Sequence, residues 1–355
     1  MTNNEMKDVS EKIDKLTYKV SQLQAKLNSL EALSVAPKQP PRMPRLKDVH
    51  VEKGYYANFP TSEKDDPCFM EKFLALTRGL DEESCHQIVQ IIQRLRCLKN
   101  SKDDLLPEFT HDEMRQLEFM EENFQPEILR LSEGCYFYDG YLMPTGSLEP
   151  SVFLDGCGLN EISAPVNFIN KDIIDAGAFI GDSALIFSKV TSGNVYAFEP
   201  TSENFEKLQK TIEMNKLSNV VPCKFALGSE KGTMEMTNAV VSASNAFVEK
   251  STMPYTTTES VDVTTLDEFV DENDLQIGLI KTDVEGAEQM LLAGAMNTIK
   301  EQRPTLLISI YHNASDFFDI KPMLESLDLG YTFKVRHPVI GTVLMETMLI
   351  AEVLN

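Results

Sequence analysis

The sequence predicts a doubly wound α/β fold of the Rossmann type, with helices on both faces of a mostly parallel sheet. Three observations lead to this prediction. From about residue 135 onwards, short β-rich runs alternate with helical runs. One apolar strand candidate ends in Asp175 and runs into a turn that contains Gly177 and Gly181. The next strand candidate also ends in an acid, Glu199, and this arrangement is typical of nucleotide-binding sheets.

The elements of the sheet follow from apolar runs of strand length and from the helical runs between them. The strand candidates are residues 172–175, 195–199, 220–227, 278–283, 305–311, 331–336 and 347–353. Helical runs such as 202–215 and 287–300 separate them. Strict alternation of this kind predicts parallel strands joined by helical crossovers.

Composition limits the classes of partner. The chain has 355 residues, of which 42% are hydrophobic and 25% charged, enough for one large core with accessory segments. Its net charge of −22 repels phosphate backbones and anionic lipids, so we expect neither nucleic acid nor a membrane surface as partner. No run approaches about 20 uninterrupted apolar residues, so we expect no membrane span. Without a signal pattern or a Cys-x-x-Cys pair, we expect a cytoplasmic protein that lacks a zinc or redox motif.

The N-terminal region has a heptad pattern. Apolar residues recur at alternating spacings of three and four across residues 6–33, namely Met6, Val9, Ile13, Leu16, Val20, Leu23, Leu27 and Leu30. This pattern predicts a coiled coil over residues 1–35 that joins copies of the chain into a homo-oligomer, with a parallel dimer favoured by the β-branched residues at one seam position. The alternative is a single amphipathic helix that packs on its own domain.

Two further segments precede the α/β domain, which we place at residues 135–355. Residues 36–61 contain four closely spaced prolines and are predicted as an extended linker, although their local basic charge would also suit an anionic surface. Residues 62–134 are predicted as a small helical subdomain. Residues 83–98 have a helical period, and Thr110 with Glu113 forms a capping box that should begin another helix.

The glycine turn after residue 175 points to the cofactor. Glycine lets the chain turn sharply and brings its backbone close to a ligand. A dinucleotide fingerprint would place three glycines in six residues, whereas Asp175-Ala-Gly-Ala-Phe-Ile-Gly181 has two, which favours S-adenosylmethionine over NAD. Asp175 would suit the ammonium group of that cofactor, and Glu199 would accept hydrogen bonds from both ribose hydroxyls. A turn with two glycines also occurs in α/β proteins for structural reasons alone.

The predicted cofactor-binding set therefore follows the carboxyl ends of the strands. It consists of Asp175, Ala176, Gly177, Ala178, Phe179, Gly181, Asp182, Ser183, Glu199, Pro200, Asn204, Ala226, Leu227 and Asp283.

Three strand ends supply candidates for catalysis, because ligands lie outside the carboxyl ends of such strands. Lys281, Asp283 and Glu285 could orient a substrate hydroxyl, hold the cofactor or bind a divalent cation, or Lys281 and Glu285 could form a structural pair. We assign Lys281 and Asp283 to catalysis and Glu285 to substrate binding. A divalent cation is possible there, but the sequence does not predict a metal site.

Histidines at the other two strand ends are further candidates. His312 follows a strand candidate and is predicted as the general base that removes a hydroxyl proton, with a structural histidine as the alternative. Tyr311, Arg336 and His337 are predicted to bind substrate, with Glu346 opposite the last two, and Arg336 and His337 would suit an anionic or sugar-like group. They could equally be ordinary polar strand ends.

Several stretches resemble the FkbM-type methyltransferases, over about residues 165–353. The matching stretches are Asp175-Ala-Gly-Ala-Phe-Ile-Gly-Asp-Ser183, Val195-Tyr-Ala-Phe-Glu-Pro200, Val263-Thr-Thr-Leu-Asp267, Ile280-Lys-Thr-Asp-Val-Glu-Gly-Ala-Glu288 and Arg303-Pro304. The chain departs from the family pattern at Phe179, where the family commonly has Asn, and at Ser309, where it often has an acid.

The resemblance implies a class I methyltransferase fold with a terminal antiparallel hairpin. It also implies S-adenosylmethionine as methyl donor and a hydroxyl of a sugar, natural product or surface glycan as acceptor. The alternative function is an inactive scaffold or binding protein of the same fold, assembled through the coiled coil. An NAD-dependent oxidoreductase is disfavoured by the missing third glycine.

Overall fold

The computed structural model describes residues 56, 58–100, 109–239, 245–247 and 255–354. These residues fall into two compact units, of which one contains residues 109–118 and the other residues 56–100 and 119–354. The predicted coiled coil and most of the predicted linker lie outside the described residues, so assembly through residues 6–33 stays a prediction. Among the described helices, none is both long enough and apolar enough to cross a bilayer.

Two helices, α1 (Phe69–Thr77) and α2 (Glu82–Asn100), contribute to the main core. The buried face of α2 repeats at a helical period, as predicted, and consists of Ile88, Ile91, Ile92, Leu95 and Leu98. The hydroxyl of Ser84 in α2 accepts a hydrogen bond from the backbone of Val335, 2.9 Å away. These helices therefore share one core with the C-terminal half of the chain, and the domain limits given above stay predictions.

The end of the predicted linker is packed rather than extended in solvent. Tyr56 and Phe59 are each 4% exposed. The ring of Phe59 lies 5.3 Å from the ring of Phe317 and 5.7 Å from that of Phe318. The linker prediction for residues 36–61 is therefore wrong at its last residues, because aromatic side chains there are buried in the core.

Helix α3 (His111–Phe119) begins at the predicted capping box. The Thr110 backbone donates to Glu113 Oε2 at 2.7 Å, and the Glu113 backbone donates to Thr110 Oγ1 at 3.2 Å. Such reciprocal bonds satisfy two amides that the first turn of a helix leaves free.

A small antiparallel sheet follows, made of β1 (Leu129–Ser132), β2 (Cys135–Tyr138) and β3 (Tyr141–Met143). The helical prediction for residues 62–134 is therefore wrong for residues 129–132. Gly134, with φ of +61°, lies in the tight turn between β1 and β2, where a left-handed conformation favours glycine. Helix α4 (Pro150–Phe153) comes next.

The remaining elements form the α/β domain. The strands are β4 (Asp172–Ala176), β5 (Val195–Phe198), β6 (Val220–Cys223), β7 (Ala226–Leu227), β8 (Gly232–Ala239), β9 (Tyr255–Thr264), β10 (Ile277–Thr282), β11 (Thr305–Ser309), β12 (Tyr331–Arg336) and β13 (Met348–Val353). The helices are α5 (Asp182–Phe187), α6 (Ser202–Asn215), α7 (Leu266–Glu272), α8 (Glu288–Ala293), α9 (Met296–Gln302) and α10 (Ala314–Glu325).

The main sheet has seven strands in the order β12-β13-β11-β10-β4-β5-β6. The five strands from β11 to β6 run parallel, whereas β13 is antiparallel to both of its neighbours. Residues 337–347 connect β12 to β13. Strands β10 and β11 are buried along their whole length, as expected for a sheet covered on both faces. The strand order reverses at β4, and such a switch point is where open α/β sheets bind ligands.

Two predicted elements are divided. The run 220–227 forms β6 in the main sheet and β7 in a second sheet of order β7-β9-β8. The sequence did not predict this break, because both parts are buried and the apolar periodicity does not change between them. The run 287–300 is split between α8 and α9 near Gly294. A Cβ atom there would lie 2.0 Å from the carbonyl oxygen of Gly228, so the helix approaches another backbone directly. Strands β8 and β9 were not predicted.

Two leucines of α1 test whether this helix contributes to the core. Leu76 is fully buried, whereas Leu74 is 58% exposed. We expect Leu76→Ala to lower the free energy of unfolding by about 2–4 kcal/mol, through lost burial and a cavity. We expect Leu74→Ala to change it by less than about 0.5 kcal/mol. Urea unfolding measures both, and equal effects would contradict the packing.

Candidate functional site

A cavity lies at the carboxyl ends of β4, β5 and β10, where the switch point predicts a ligand site. The predicted site residues that line it are Ala176, Gly177, Phe179, Asp182, Ser183, Glu199, Pro200, Asn204, Ala226, Leu227, Lys281, Asp283, Glu285, Tyr311 and Arg336. The structure therefore brings most of the predicted residues to one place. Five predicted residues do not line the cavity in the described part of the chain, namely Asp175, Ala178, Gly181, His312 and His337.

The glycine turn is held by backbone contacts on two sides. The backbone amides of Gly177 and Ala178 donate to the carbonyl oxygen of Phe198 at 3.1 and 2.9 Å. Gly177 has φ of +75°, and a Cβ atom there would lie 1.8 Å from the carbonyl oxygen of Asp283. Gly177 is therefore needed for close contact between the turn and the end of β10, and not only for contact with a ligand.

Phe179 has an unusual backbone conformation for its residue type. Its φ is +47°, in the left-handed region that costs most non-glycine residues about 1–2 kcal/mol. Asn tolerates that region better than Phe does, and Asn is the residue that the family resemblance led us to expect. The Phe179 side chain lines the cavity and also packs on a cluster that contains Ile180 and Leu185.

Asp175 does not face the cavity, contrary to the prediction that it meets the cofactor ammonium. It is fully buried, accepts a hydrogen bond of 2.7 Å from the Ser183 hydroxyl, and lies 3.3 Å from Lys281 Nζ. Lys281 Nζ also donates to the carbonyl oxygen of Gly177 at 2.8 Å. Burial alone lowers the pKa of Lys281, but Asp175 and Asp283 outweigh it, so the pKa is raised and the lysine stays charged. Asp175 and Lys281 thus position the turn.

Two other carboxylates of the predicted set are buried at the cavity wall. Asp182 is 4% exposed, and its Oδ2 has no hydrogen bond within the described structure. Glu199 is 6% exposed, and its Oε1 accepts from the Thr201 backbone at 2.9 Å and from the Thr201 hydroxyl at 2.5 Å. Burial raises the pKa of Asp182 to about 6 and that of Glu199 to about 7. Both are acceptor groups prepared for hydrogen-bond donors of a ligand.

Acidic groups also line the other end of the cavity. The Tyr311 hydroxyl lies 3.2 Å from Asp283 Oδ1 and 3.1 Å from Glu346 Oε1, so it can donate to either carboxylate. Burial raises the pKa of Tyr311 well above its ordinary value, which keeps the hydroxyl protonated. Burial also raises the pKa of Glu346 to about 7. Arg336 lines the same end, with Nε 3.3 Å from Glu161.

His312 is placed behind this acidic end rather than in it. The residue is 5% exposed, with Nε2 3.3 Å from Asp283 and Nδ1 2.9 Å from Glu288. Burial lowers its pKa, but Glu288, Glu285 and Asp283 outweigh burial and raise the pKa well above its ordinary value. Asp283 and Glu285 line the cavity and His312 does not, so its placement favours a positioning role over the predicted role of general base.

His337 is a structural residue. Its backbone amide donates to Gln87 Oε1 at 2.7 Å, and its ring nitrogens lie 3.2 Å from the Thr342 carbonyl oxygen and 3.1 Å from the Thr347 hydroxyl. It therefore fixes the connection between β12 and β13, and it does not line the cavity in which a substrate-binding residue is expected.

Sequence reasoning missed part of the cavity wall. The unpredicted lining residues include Tyr56, Glu149, Ser151, Phe225, Met236, Asn245 and Phe247. Tyr56 comes from the predicted linker, and Glu149 and Ser151 come from the start of α4. They belong to segments without a chemical motif, so no signal in the sequence connects them to the site.

The cavity wall is strongly acidic. Among the described residues, seven carboxylate side chains line it, namely Glu149, Asp155, Asp182, Glu199, Asp283, Glu285 and Glu346. Two cationic side chains, Lys281 and Arg336, also line it. Lys281 lies beside Asp175 and Arg336 lies beside Glu161, and neither of these two acids lines the cavity. The cavity is therefore suited to ligands that carry positive charge or many hydrogen-bond donors.

The fold and the cavity define a class. A doubly wound parallel sheet with one antiparallel strand beside its edge, and acids after the first two strands of the α/β domain, fits the class I methyltransferase fold. Comparison with known proteins finds that residues 175–333 match the family model described as the methyltransferase FkbM domain. The resemblance found in the sequence is confirmed for this stretch.

Individual proteins show the same similarity. Methyltransferase 1 from Beauveria bassiana is 28% identical over 186 residues, which cover 47% of this chain and 74% of that protein. Hexuronic acid methyltransferase AglP from Haloferax volcanii is 28% identical over 159 residues, which cover 44% and 62%. The crystal structure of methyltransferase FkbM from Methylobacillus flagellatus KT has 21% identity, a TM-score of 0.48, and coverage of 79% and 58%. This chain spans less than two thirds of the last two proteins.

Two glycines test the contact between the turn and β10. Gly177 and Gly140 both have left-handed φ angles, +75° and +87°, but a Cβ atom at Gly140 would meet nothing within 4 Å. Gly140→Ala should therefore cost only the conformational strain, about 1–2 kcal/mol. We expect Gly177→Ala to lower the free energy of unfolding by at least about 2 kcal/mol more, because the turn must move. Similar losses in urea unfolding would argue against the contact.

Proposed function

We propose that the chain transfers a methyl group from S-adenosylmethionine to a hydroxyl of a sugar or glycan acceptor. One observation is central to this proposal. A single cavity at the switch point combines two buried carboxylates, Asp182 and Glu199, beside the glycine turn with a second acidic group at the end of β10. Cofactor and acceptor would occupy these two ends.

The residues beside the glycine turn fit the cofactor. The hydroxyls of its ribose are donors, and Glu199 is an acceptor-only group with lone pairs left after its bonds to Thr201. Asp182 Oδ2, buried and without a hydrogen bond, would accept from the ammonium group. Ala226 and Leu227 give an apolar wall for the adenine ring. When bound, the cofactor supplies an electrophilic methyl group on a positively charged sulfur.

The acceptor end fits a compound with several hydroxyls. Carboxylates accept hydrogen bonds from hydroxyl groups, and Asp283, Glu285 and Glu346 together offer several acceptor positions. The name of one relative, a hexuronic acid methyltransferase, supports a sugar of this kind. Arg336 in the same wall would complement a carboxylate or ring oxygen of the acceptor.

Transfer to a hydroxyl releases the hydroxyl proton as the new carbon–oxygen bond forms. Asp283 would orient the hydroxyl, and the Tyr311 hydroxyl would fix Asp283 through their contact of 3.2 Å. Glu346 would take the proton, because it lines the cavity and its pKa of about 7 is close to neutral pH. His312 is a positioning residue in this arrangement.

The loss of Glu199 tests the cofactor site. We expect Glu199→Ala to weaken adenosylhomocysteine binding about 10–100-fold, because a hydrogen bond to a charged group contributes about 1.5–3 kcal/mol. Glu203→Ala, one turn away on the surface of α6 and paired with Lys207, is the matched control and should leave affinity unchanged. Isothermal titration calorimetry with adenosylhomocysteine, and with NAD as the competing ligand, measures this. Binding of NAD alone, or equal loss in both variants, would refute the proposal.

Cofactor affinity should also rise with pH. In the free protein the pKa values of Asp182 and Glu199 are raised to about 6 and about 7 by burial. Donors of the ligand favour the charged carboxylates, so binding releases protons and tightens as pH rises through both values. We expect a gain of about 100-fold in adenosylhomocysteine affinity between about pH 5.5 and 8, because the ionisation of Glu199 contributes about 30-fold over this range and that of Asp182 about fourfold. Asp182→Asn should reduce the gain below pH 7, and a flat or falling profile in the unmodified protein would contradict this assignment.

A further inference from the structure

We propose that Asp283, Glu285 and His312 bind a hard divalent cation, Mg²⁺ or Mn²⁺, at the acceptor end of the cavity. The sequence predicted no metal at this position. The binding of a cation at this site does not depend on the proposed function. A role of the ion in methyl transfer rests on the proposed function.

The three side chains already have a spacing that suits one ion. His312 Nε2 lies 3.3 Å from Asp283 Oδ1 and 3.6 Å from Glu285 Oε2, and one donor atom from each residue lies within 4.8 Å of the others. Neighbouring ligands of an octahedral Mg²⁺ are about 3 Å apart, because each metal–ligand distance is about 2.1 Å. Small side-chain rotations would therefore complete the site.

The orientation of His312 is an independent observation. The ring is buried, and neither nitrogen has a hydrogen bond of good geometry within the described structure. Nevertheless, Nδ1 lies 2.9 Å from Glu288 Oε1, and Glu288 is itself fully buried and accepts from the Val284 backbone at 2.9 Å. The second ring nitrogen of a metal-binding histidine typically donates to a carboxylate, a backbone carbonyl or a water. Glu288 thus directs Nε2 towards Asp283 and Glu285.

The local charge supports a cation. Asp283 and Glu285 are neighbours in a wall where carboxylates outnumber cationic side chains. Lys281 is engaged by Asp175 and by the carbonyl oxygen of Gly177. Partly buried carboxylates need compensating charge, and a divalent ion between Asp283 and Glu285 would supply it. Two carboxylates and one imidazole, without a thiolate, favour a hard or borderline ion.

The site would also keep open positions for a ligand. The Asp283 and Glu285 side chains are 24% and 20% exposed and line the cavity, whereas His312 lies behind them. Three protein ligands leave about three positions of an octahedral ion for water or for acceptor oxygens. Two neighbouring hydroxyls, or a hydroxyl and a carboxylate of a sugar acid, would match these positions. Glu346 is outside the ligand set and stays available to take a proton.

Mn²⁺ titration of the EDTA-treated full chain, followed through the EPR signal of free aqueous Mn²⁺, tests the site. We expect one bound ion per chain. Asp283→Asn and Glu285→Gln should each weaken binding at least about tenfold, as the loss of a metal ligand does. Glu149→Gln replaces another carboxyl group of the same cavity wall outside the cluster and should weaken Mn²⁺ binding less than about threefold. No binding, or equal loss in all three variants, would overturn the inference.

Pulsed EPR of the bound Mn²⁺ separates this site from a diffuse acidic surface. We expect ¹⁴N modulation from a coordinated imidazole in the unmodified protein. The absence of this modulation from the unmodified protein would overturn the inference, and this result does not require a folded His312 variant. His312→Asn should remove the modulation. Adenosylhomocysteine titration without metal keeps the two proposals apart. Cofactor binding without Mn²⁺ binding refutes only the metal site, and the reverse result refutes only the proposed function.

Discussion

The site depends on one buried ion pair, Asp175 with Lys281. The pair joins the carboxyl ends of β4 and β10, and Lys281 also binds the carbonyl oxygen of Gly177. Removing one partner of such a pair leaves an unpaired buried charge and costs about 3–5 kcal/mol. Because Lys281 and the Gly177 contact with β10 fix the turn together, the positions of Phe179 and Asp182 at the cavity follow from them.

The sequence was most informative where chemistry is local. Glycines after Asp175, an acid at Glu199 and buried strand runs are signals within a few residues, and the structure has them where they were predicted. The direction in which each acidic side chain points could not be predicted, because neighbouring acids have the same sequence context. Burial in the folded chain decides that Asp182 faces the cavity and Asp175 faces Lys281. Burial likewise decides that Asp283 lies in front of His312 at the cavity. The sequence thus predicted the location of the site more accurately than the role of each residue in it.

Long-range contacts account for the parts that sequence reasoning missed. Tyr56, Glu149 and Phe247 reach one cavity from three separate segments, and none of these segments carries a motif.

Phe179 illustrates a different limit of prediction from the sequence. Its left-handed backbone is strained for Phe and easier for the Asn of the family pattern, so its aromatic side chain at the cavity wall is a feature of this chain that the motif does not explain. Acceptor choice would depend on such residues.

A crystal structure of the full chain with adenosylhomocysteine shows which carboxylate meets which group of the ligand. We expect the ribose hydroxyls within hydrogen-bond distance of Glu199 and the ammonium beside Asp182, with Asp175 still paired to Lys281. A ligand ammonium at Asp175 with the ion pair broken, or a ligand bound outside this cavity, would contradict this expectation.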